Sequence, residues 1–258
     1  MKLAAILAGL CIFATGALAD NFTNGNFETG DLSGWTQNAG YLTGGQLTNN
    51  LNPADFMSGG SQFNMSANAS GIVSPGLDPR TDNHLNMVYS GNYSARVNDS
   101  VENYSVSVLS QTVHNYTDPN IYFAWAAVLE SSHGPTDSDV FELTLQDDTK
   151  GTTLYSVTYN SADAATAALF TQSSSDWFYT DWQVQNLDVS ADQGDTFTLT
   201  LLAADCPYGG HAGYVYLDGF GAVVPPPVSG APEPASAALL GLSTLAGGLV
   251  AWRKRKAS

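Results

Sequence analysis

Short runs in which apolar and polar residues alternate are spread along the middle of the chain. This period of two is typical of β-strands with one buried face. It is clear in residues 104–113, 140–145, 195–201 and 213–217. Residues 121–129 are apolar at almost every position, which predicts a central strand covered on both faces. The pattern therefore predicts an all-β domain.

The segments between these runs refine the prediction. Residues 146–151 (Gln-Asp-Asp-Thr-Lys-Gly) form a turn that leads into 152–159 and makes a hairpin. Residues 161–170, rich in alanine, are the candidate for a short helix. Residues 37–83 hold glycine, asparagine and serine with little periodicity, so we expect loops with up to two edge strands. This number of strands favours a two-sheet jelly-roll β-sandwich over a barrel.

The amino-terminal residues 1–19 have the pattern of a secretory signal peptide. Lys2 is followed by an apolar run over 3–18, and Ala17-Leu18-Ala19 is the small-x-small pattern that signal peptidase cleaves. The mature chain is then expected to begin at Asp20. Cys11 is interpreted as part of the apolar run, because Leu10 is too large for the usual position before a lipoprotein cysteine.

The carboxyl-terminal residues predict a membrane segment behind the domain 20–224. A linker, 225–234, opens with three consecutive prolines and is followed by eighteen uncharged residues, 235–252, which just reach the length of a membrane-spanning helix. The tail 253–258 begins with Arg-Lys-Arg-Lys, which places it in the cytoplasm by the positive-inside rule. We therefore expect a single transmembrane helix and a sandwich outside the inner membrane.

The order of Pro-Glu-Pro, apolar segment and basic tail resembles the PEP-CTERM sorting signal of Gram-negative bacteria. Pro232, Glu233 and Pro234 match its motif, whereas Ala231 stands where the family more often has valine. The resemblance covers only about the last thirty residues. It implies that the membrane peptidase exosortase, besides signal peptidase, processes the chain and directs it to an exopolysaccharide-rich surface layer. A plain membrane anchor is the alternative.

The charge of the chain excludes one class of partner. The sequence has 24 acidic and 8 basic residues, for a net charge of −16. Five of the bases lie at the two ends, which leaves Arg80, Arg96 and Lys150 to oppose all the acids. Such a field repels phosphate backbones and therefore excludes nucleic acid as a partner, whereas divalent cations become natural counterions.

A glycine-rich motif, residues 24–35, follows the signal peptide. In the structural interpretation, buried Phe27 and Trp35 tie the first strand to the sandwich. The motif also resembles the start of galactose-binding-like jelly rolls, including carbohydrate-binding modules. The resemblance implies a structural Ca²⁺ held by the matching positions Glu28 and Asp218. Calcium takes six to eight oxygen ligands, so two carboxylates suit it; the alternative is two surface carboxylates near turns.

A second motif, residues 204–218, resembles a stretch of extracellular bacterial surface modules to which no activity attaches. Cys206 is the only cysteine left after signal cleavage, so it is either free or paired with another chain. Four residues could form a transition-metal site: Cys206, His211, His133 and Asp205. Because Cys-x₄-His is not a standard zinc spacing, we favour a buried, apolar Cys206 and a His211 that hydrogen-bonds the turn 209–210.

The remaining candidates are aromatic. The sequence has no serine-hydrolase, metalloprotease or phosphate-binding motif, so we predict that the chain is not an enzyme. Trp177, Trp182 and Tyr208 could form a platform on which sugar rings stack, although tryptophans of a sandwich belong more often to its core.

The function predicted from the sequence is that of an exported, non-enzymatic surface or matrix protein, structural or adhesive in an exopolysaccharide-rich envelope. The alternative is a carbohydrate-binding module that recognises glycan through exposed aromatics. A surface hydrolase is a third class. The sequence leaves the ligand, the oligomeric state and the pairing of Cys206 open.

Overall fold

A computed structural model of the protein describes residues 21–221, which form two antiparallel β-sheets. The strands of this part of the chain are β1 Thr36–Tyr41, β2 Gly71–Val73, β3 Ser94–Val97, β4 Ser105–Val113, β5 Asn120–Glu130, β6 Val140–Asp147, β7 Thr152–Asn160, β8 Phe170–Gln172, β9 Trp177–Thr180, β10 Gln183–Asp188, β11 Phe197–Ala204 and β12 Gly213–Gly221. The first sheet has the order β1-β4-β11-β6-β7. The second has the order β2-β3-β12-β5-β9-β8, and β10 also pairs with β5.

The sequence pattern predicted this architecture correctly. The four alternating runs form β4, β6, β11 and β12, and the continuous apolar run forms β5. β6 and β7 form the predicted hairpin. The aperiodic stretch 37–83 contributes β1 and β2, which lie at the edges of the two sheets. The fold is a jelly-roll β-sandwich, as predicted.

The helix predicted within 161–170 is shorter than the alanine-rich run. It is α2, Ser161–Ala164, and it starts with a capping box in which Asn160 and Asp163 bond each other's backbone. Phe170 already begins β8, so the chain must turn before it. A run of ten residues is marginal as a helix without a long packed face, which explains the early end.

The parts of the chain predicted to direct export lie outside the described residues. These are the signal peptide 1–19, the linker with Pro232, Glu233 and Pro234, the apolar segment 235–252 and the basic tail. Among residues 21–221, no helix is both long enough and apolar enough to cross a membrane.

The core lies between the two sheets and is built on β5. Phe123, Trp125 and Leu129 point into it and are fully or almost fully buried. The Trp125 ring packs 5.2 Å from that of Phe141 on β6, and its indole N–H donates to the Tyr155 hydroxyl at 3.1 Å. The other face of β5 is buried as well, which confirms the prediction of a strand covered on both sides.

Two loop segments cover the outer faces of the sandwich. The first cover, residues 42–57, includes the short helix α1 (Pro53–Phe56) and packs Phe56 on outward-facing Val106 and Val108 of β4. The second cover, residues 74–90, packs Leu85 on Ala126 and Val128 of β5. The segment that lacks periodicity therefore shields apolar residues that the sheets would otherwise expose to water.

Glu142 on β6 lies partly buried beside the first cover, and this burial makes the fold sensitive to pH. Burial raises the pKa of Glu142 to about 7, and the Leu51 backbone amide offsets part of that effect. In the unfolded chain the carboxyl titrates near its ordinary pKa of about 4.3. The folded protein therefore binds more protons than the unfolded chain between these two values, so stability falls as the pH rises from about 4.5 to about 7.

We predict that Glu142→Gln makes the free energy of unfolding less dependent on pH over this window, because glutamine stays neutral. The measurement is urea unfolding at a series of pH values. Glu102→Gln, at an exposed position, serves as the control and is expected to keep the wild-type dependence. A Glu142→Gln curve that parallels the wild type throughout would contradict the prediction.

Candidate functional site

Asp218 lies on β12 and is fully buried, with its two carboxylate oxygens in different surroundings. Oδ2 accepts the backbone N–H groups of Tyr89 and Ser90, at 3.1 and 2.9 Å. Oδ1 has no hydrogen-bond partner. Burial, with a smaller contribution from the charge of Glu28, raises the pKa of Asp218 to about 7. A buried carboxylate oxygen without a partner is costly unless a proton or a cation satisfies it.

Glu28 also accepts hydrogen bonds from this loop. Its Oε1 accepts the backbone N–H groups of Asn92 and Tyr93, at 2.8 and 3.1 Å, and its Oε2 accepts the Asn92 side-chain amide at 3.0 Å. Gly91 lies where the loop approaches the Glu28 carboxylate most closely. Its φ is +75°, and a Cβ there would lie 2.3 Å from Glu28 Oε1. The loop 89–93 therefore joins the two carboxylates that the sequence singled out.

These surroundings suit a calcium ion chemically. Asp218 offers a free carboxylate oxygen, Glu28 offers a second carboxylate near it, and calcium prefers such oxygens. Sequence reasoning did not find the loop 89–93 between them. The one available signal was its Ser-Gly-Asn turn, which is too common to indicate a site.

The structure corrects the prediction for Trp177. The second cover lies over this part of the second sheet, so Trp177 is only 2% exposed. The guanidinium of Arg80, which belongs to the cover, sits 4.9 Å from the centre of its ring. A ring face occupied in this way is not available to a sugar.

The second cover is fixed to the sheet by a buried carboxylate. Asp78 Oδ2 accepts the hydroxyl groups of Tyr214 and Tyr216 on β12, at 2.7 and 2.9 Å. Trp182 is half-buried, and its indole N–H donates to the Asn86 carbonyl of the cover at 2.8 Å. The predicted platform of Trp177 and Trp182 is therefore closed by the chain's own residues 74–90.

Tyr208 is the predicted aromatic that does present its ring to solvent. It lies in the loop between β11 and β12 and is 53% exposed. The Tyr104 hydroxyl donates to the Tyr208 carbonyl at 3.0 Å, and the His133 ring packs edge-on 4.9 Å from the Tyr208 ring. Two neighbouring loops thus contact Tyr208 at one end of the sandwich.

Asp205 anchors the base of this loop. Its Oδ1 accepts the Asn98 side-chain amide at 2.9 Å, and its Oδ2 accepts the backbone N–H of Asn103 and both the N–H and the hydroxyl of Ser105. Burial raises the pKa of Asp205 to about 7, against the opposing effect of these donors. Both oxygens are committed to structure, so Asp205 does not join the metal site considered from the sequence.

The other three candidate ligands of that metal site, unlike Asp205, lie close to one another. The structure brings Cys206, His133 and His211 together. Cys206 is fully buried, as predicted. The prediction for His211 is wrong, because its Nδ1 lies 3.5 Å from the Cys206 sulfur instead of bonding the turn 209–210.

A further acidic cluster is paired with a lysine of the chain itself. The Lys150 ammonium lies between Asp147, Asp192 and Asp195, 3.8 Å from the first and 2.8 Å from the last. The two partners Asp192 and Asp195 raise the pKa of Lys150. The lysine here occupies the place that a metal ion would take.

Neither protein-family models nor curated proteins give a match to this chain. Solved structures with a similar architecture include a CBM61 carbohydrate-binding module in complex with β-1,4-galactotriose, at 15% identity and a TM-score of 0.41, covering 79% of this chain and 97% of that one. CBM27-1 of Caldicellulosiruptor saccharolyticus, in complex with mannohexaose, is 12% identical with a TM-score of 0.38, covering 83% and 100%.

The enzymatically active domain of tailspike protein 4 from bacteriophage CBA120 is also similar, at 11% identity and a TM-score of 0.34. This likeness covers 78% of the present chain and 21% of the phage protein. Identities and TM-scores as low as these assign neither a family nor a ligand to the chain. Its function must therefore be argued from its own residues.

Proposed function

We propose that the chain is an exported, non-catalytic surface protein that is structural or adhesive and associates with extracellular polysaccharide. The observation that carries the proposal is the exposed ring of Tyr208, which the His133 ring contacts and whose backbone carbonyl accepts the Tyr104 hydroxyl. The less polar face of a sugar packs its C–H groups against an aromatic face, whose quadrupole is negative. A ring held by neighbouring loops loses little entropy when it binds.

The surroundings of Tyr208 support contact with sugar hydroxyls. The Tyr104 hydroxyl ties Tyr208 to the loop 99–104. Glu102 and Asn103 of this loop are exposed and offer hydrogen-bonding groups. The glycan site proposed here therefore lies at the loop end of the sandwich, and not on the covered face that carries Trp177 and Trp182.

The hydrogen bonds that the buried carboxylates accept support a non-catalytic role. Asp78 holds two tyrosine hydroxyls, Asp205 holds four donors, and Asp218 holds two backbone amides. Each of these bonds fixes a loop or a cover to a strand. A catalytic pair of carboxylates would instead have to face a substrate across a cleft.

We predict that the purified full chain binds at least one polysaccharide saturably on a glycan array and in affinity electrophoresis. Tyr208→Ala should weaken this binding about tenfold, the effect of losing an anchor worth about 1.4 kcal/mol. Val184→Ala, which trims an exposed apolar side chain on β10, is the control and should bind as the wild type does.

Two results would overturn parts of this proposal. If Trp182→Ala weakens binding and Tyr208→Ala does not, the site lies on the second sheet. If the wild type binds no glycan saturably, association with polysaccharide is wrong and a purely structural role remains.

The export of the chain is part of the proposal and is supported by Pro232, Glu233 and Pro234 ahead of an apolar segment and a basic tail. In a Gram-negative host with an exosortase, we predict a mature amino terminus at Asp20 and release from the inner membrane. Glu233→Ala should leave the chain in the membrane, whereas Ser229→Ala should not. Cell fractionation with amino-terminal sequencing measures both, and a full-length chain in the cytosol with its leader intact would contradict the prediction.

We also propose that Glu28 and Asp218 bind a structural Ca²⁺. A ligand at a hundred times its dissociation constant stabilises the folded state by about 2.7 kcal/mol, which is about 5 °C or more in melting temperature for a domain of this size. We predict a shift of this size between excess Ca²⁺ and chelator, and its loss in Asp218→Asn. Asp176→Asn, at an exposed position, is the control. Equal melting temperatures of the wild type in both buffers would contradict calcium binding.

A further inference from the structure

Three potential metal ligands from separate loops meet beside Tyr208. Cys206 follows β11, His211 precedes β12, and His133 lies between β5 and β6. One ligand atom from each lies within 4.8 Å of the other two. The rings of His133 and His211 are 5.0 Å apart and perpendicular to each other. Residues this far apart in sequence converge because β5 and β11 end, and β12 begins, at the same side of the sandwich.

We propose that His133, Cys206 and His211 form a binding site for a first-row transition-metal ion, with Zn²⁺ as the expected occupant. Thiolate and imidazole are the ligands that Zn²⁺ prefers among protein groups. With Zn–S of about 2.3 Å and Zn–N of about 2.0 Å, two ligands at a tetrahedral angle are about 3.5 Å apart. The 3.5 Å between the Cys206 sulfur and His211 Nδ1 fits this value.

The backbone holds this pair of ligands in place. The Cys206 N–H donates to the His211 carbonyl at 3.2 Å, and the Gly209 N–H donates to the Cys206 carbonyl at 3.4 Å. Gly209 and Gly210 both have positive φ, +72° and +95°, which lets the chain reverse direction within four residues. The two glycines therefore allow Cys-x₄-His to place both side chains on one point, although the spacing is unusual for zinc.

The electrostatic surroundings favour a cation at this point. Two buried carboxyl groups, those of Asp139 and Asp205, lie near enough to the Cys206 thiol to interact with it electrostatically. Asp139 is fully buried, and neither of its carboxylate oxygens has a hydrogen-bond partner. Burying polar oxygens without a partner costs free energy, and a divalent ion nearby would offset this cost.

The basic residues of the described part of the chain are engaged elsewhere. Lys150 binds the cluster of Asp147, Asp192 and Asp195. Arg80 stacks on Trp177, and Arg96 stacks on Tyr214. Within residues 21–221, neither lysine nor arginine therefore takes the place of the ion beside Cys206, in contrast to the cluster around Lys150.

The site would be open on one side. Three protein ligands leave a fourth tetrahedral position for water or another small ligand. His133 is exposed, so the ion can enter from solvent, whereas Cys206 is fully buried. Because the His133 ring also contacts Tyr208, the metal would fix the loop on which the proposed glycan contact depends. The metal site itself does not rest on glycan binding.

The test uses the reduced full chain titrated with Co²⁺, in excess Ca²⁺ so that sites made only of oxygen ligands are filled. We expect one equivalent to give the visible bands of tetrahedral Co²⁺ together with thiolate-to-cobalt charge transfer in the near ultraviolet. Zn²⁺ should displace the Co²⁺ and abolish both signals. Cys206→Ser should remove the charge-transfer band, and His133→Ala should weaken binding by roughly a hundredfold.

The controls separate the site from folding and from other histidines. His133 is exposed, so His133→Ala is expected to fold even if Cys206→Ser does not, and circular dichroism checks this. His114→Ala, at an exposed histidine whose Nδ1 lies 3.3 Å from the Thr196 hydroxyl, should bind Co²⁺ like the wild type. A wild-type complex without charge transfer, or unchanged affinity in folded His133→Ala, would overturn the proposal.

Discussion

Burial of apolar surface on both sides of each sheet is the constraint on which the rest of the structure depends. A sandwich needs only its inner faces to be apolar, yet β4 and β5 here carry apolar residues on their outer faces as well. Those residues would lie in water without the two covers, residues 42–57 and 74–90. The long aperiodic stretch before β3 is therefore part of the fold and not an appendage to it.

The covers also determine which side chains are exposed to solvent. The second cover places Asp78 on two tyrosine hydroxyls and Arg80 on Trp177, so the most aromatic face of the protein is satisfied internally. Tyr208, the most exposed aromatic side chain of residues 21–221, and the three potential metal ligands lie together at the loop end. The fold thus separates a closed face, which supplies stability, from an open end, which is free to bind.

Buried carboxylates connect these parts, and each works through donors distant in sequence. Asp205 joins the loops before β4 and before β12 through Asn98 and Ser105, and Asp218 joins β12 to the loop 89–93. Because the chain has so few basic residues, backbone amides and hydroxyl groups donate hydrogen bonds to these carboxylates where lysine and arginine often do so in other proteins. Asp218 Oδ1, both oxygens of Asp139 and Asp147 Oδ2 have no hydrogen-bond partner. The Lys150 ammonium lies 3.8 Å from Asp147 Oδ2, and we propose a cation near each of the other two residues.

The sequence by itself determined the sandwich, because the alternation of apolar residues depends only on which face of a strand is buried, and that pattern is local. It also singled out Glu28, Asp218, Tyr208 and Cys206 from their motifs. It could not show that Trp177 is buried, since the covering residues are about a hundred positions away and carry no periodic signal. Nor could it show that His133 meets Cys206 and His211, or that Asp205 turns to Asn98. Such contacts depend on which loops lie at the same end of the sandwich. The strand order determines this, and only the tertiary structure decides the strand order.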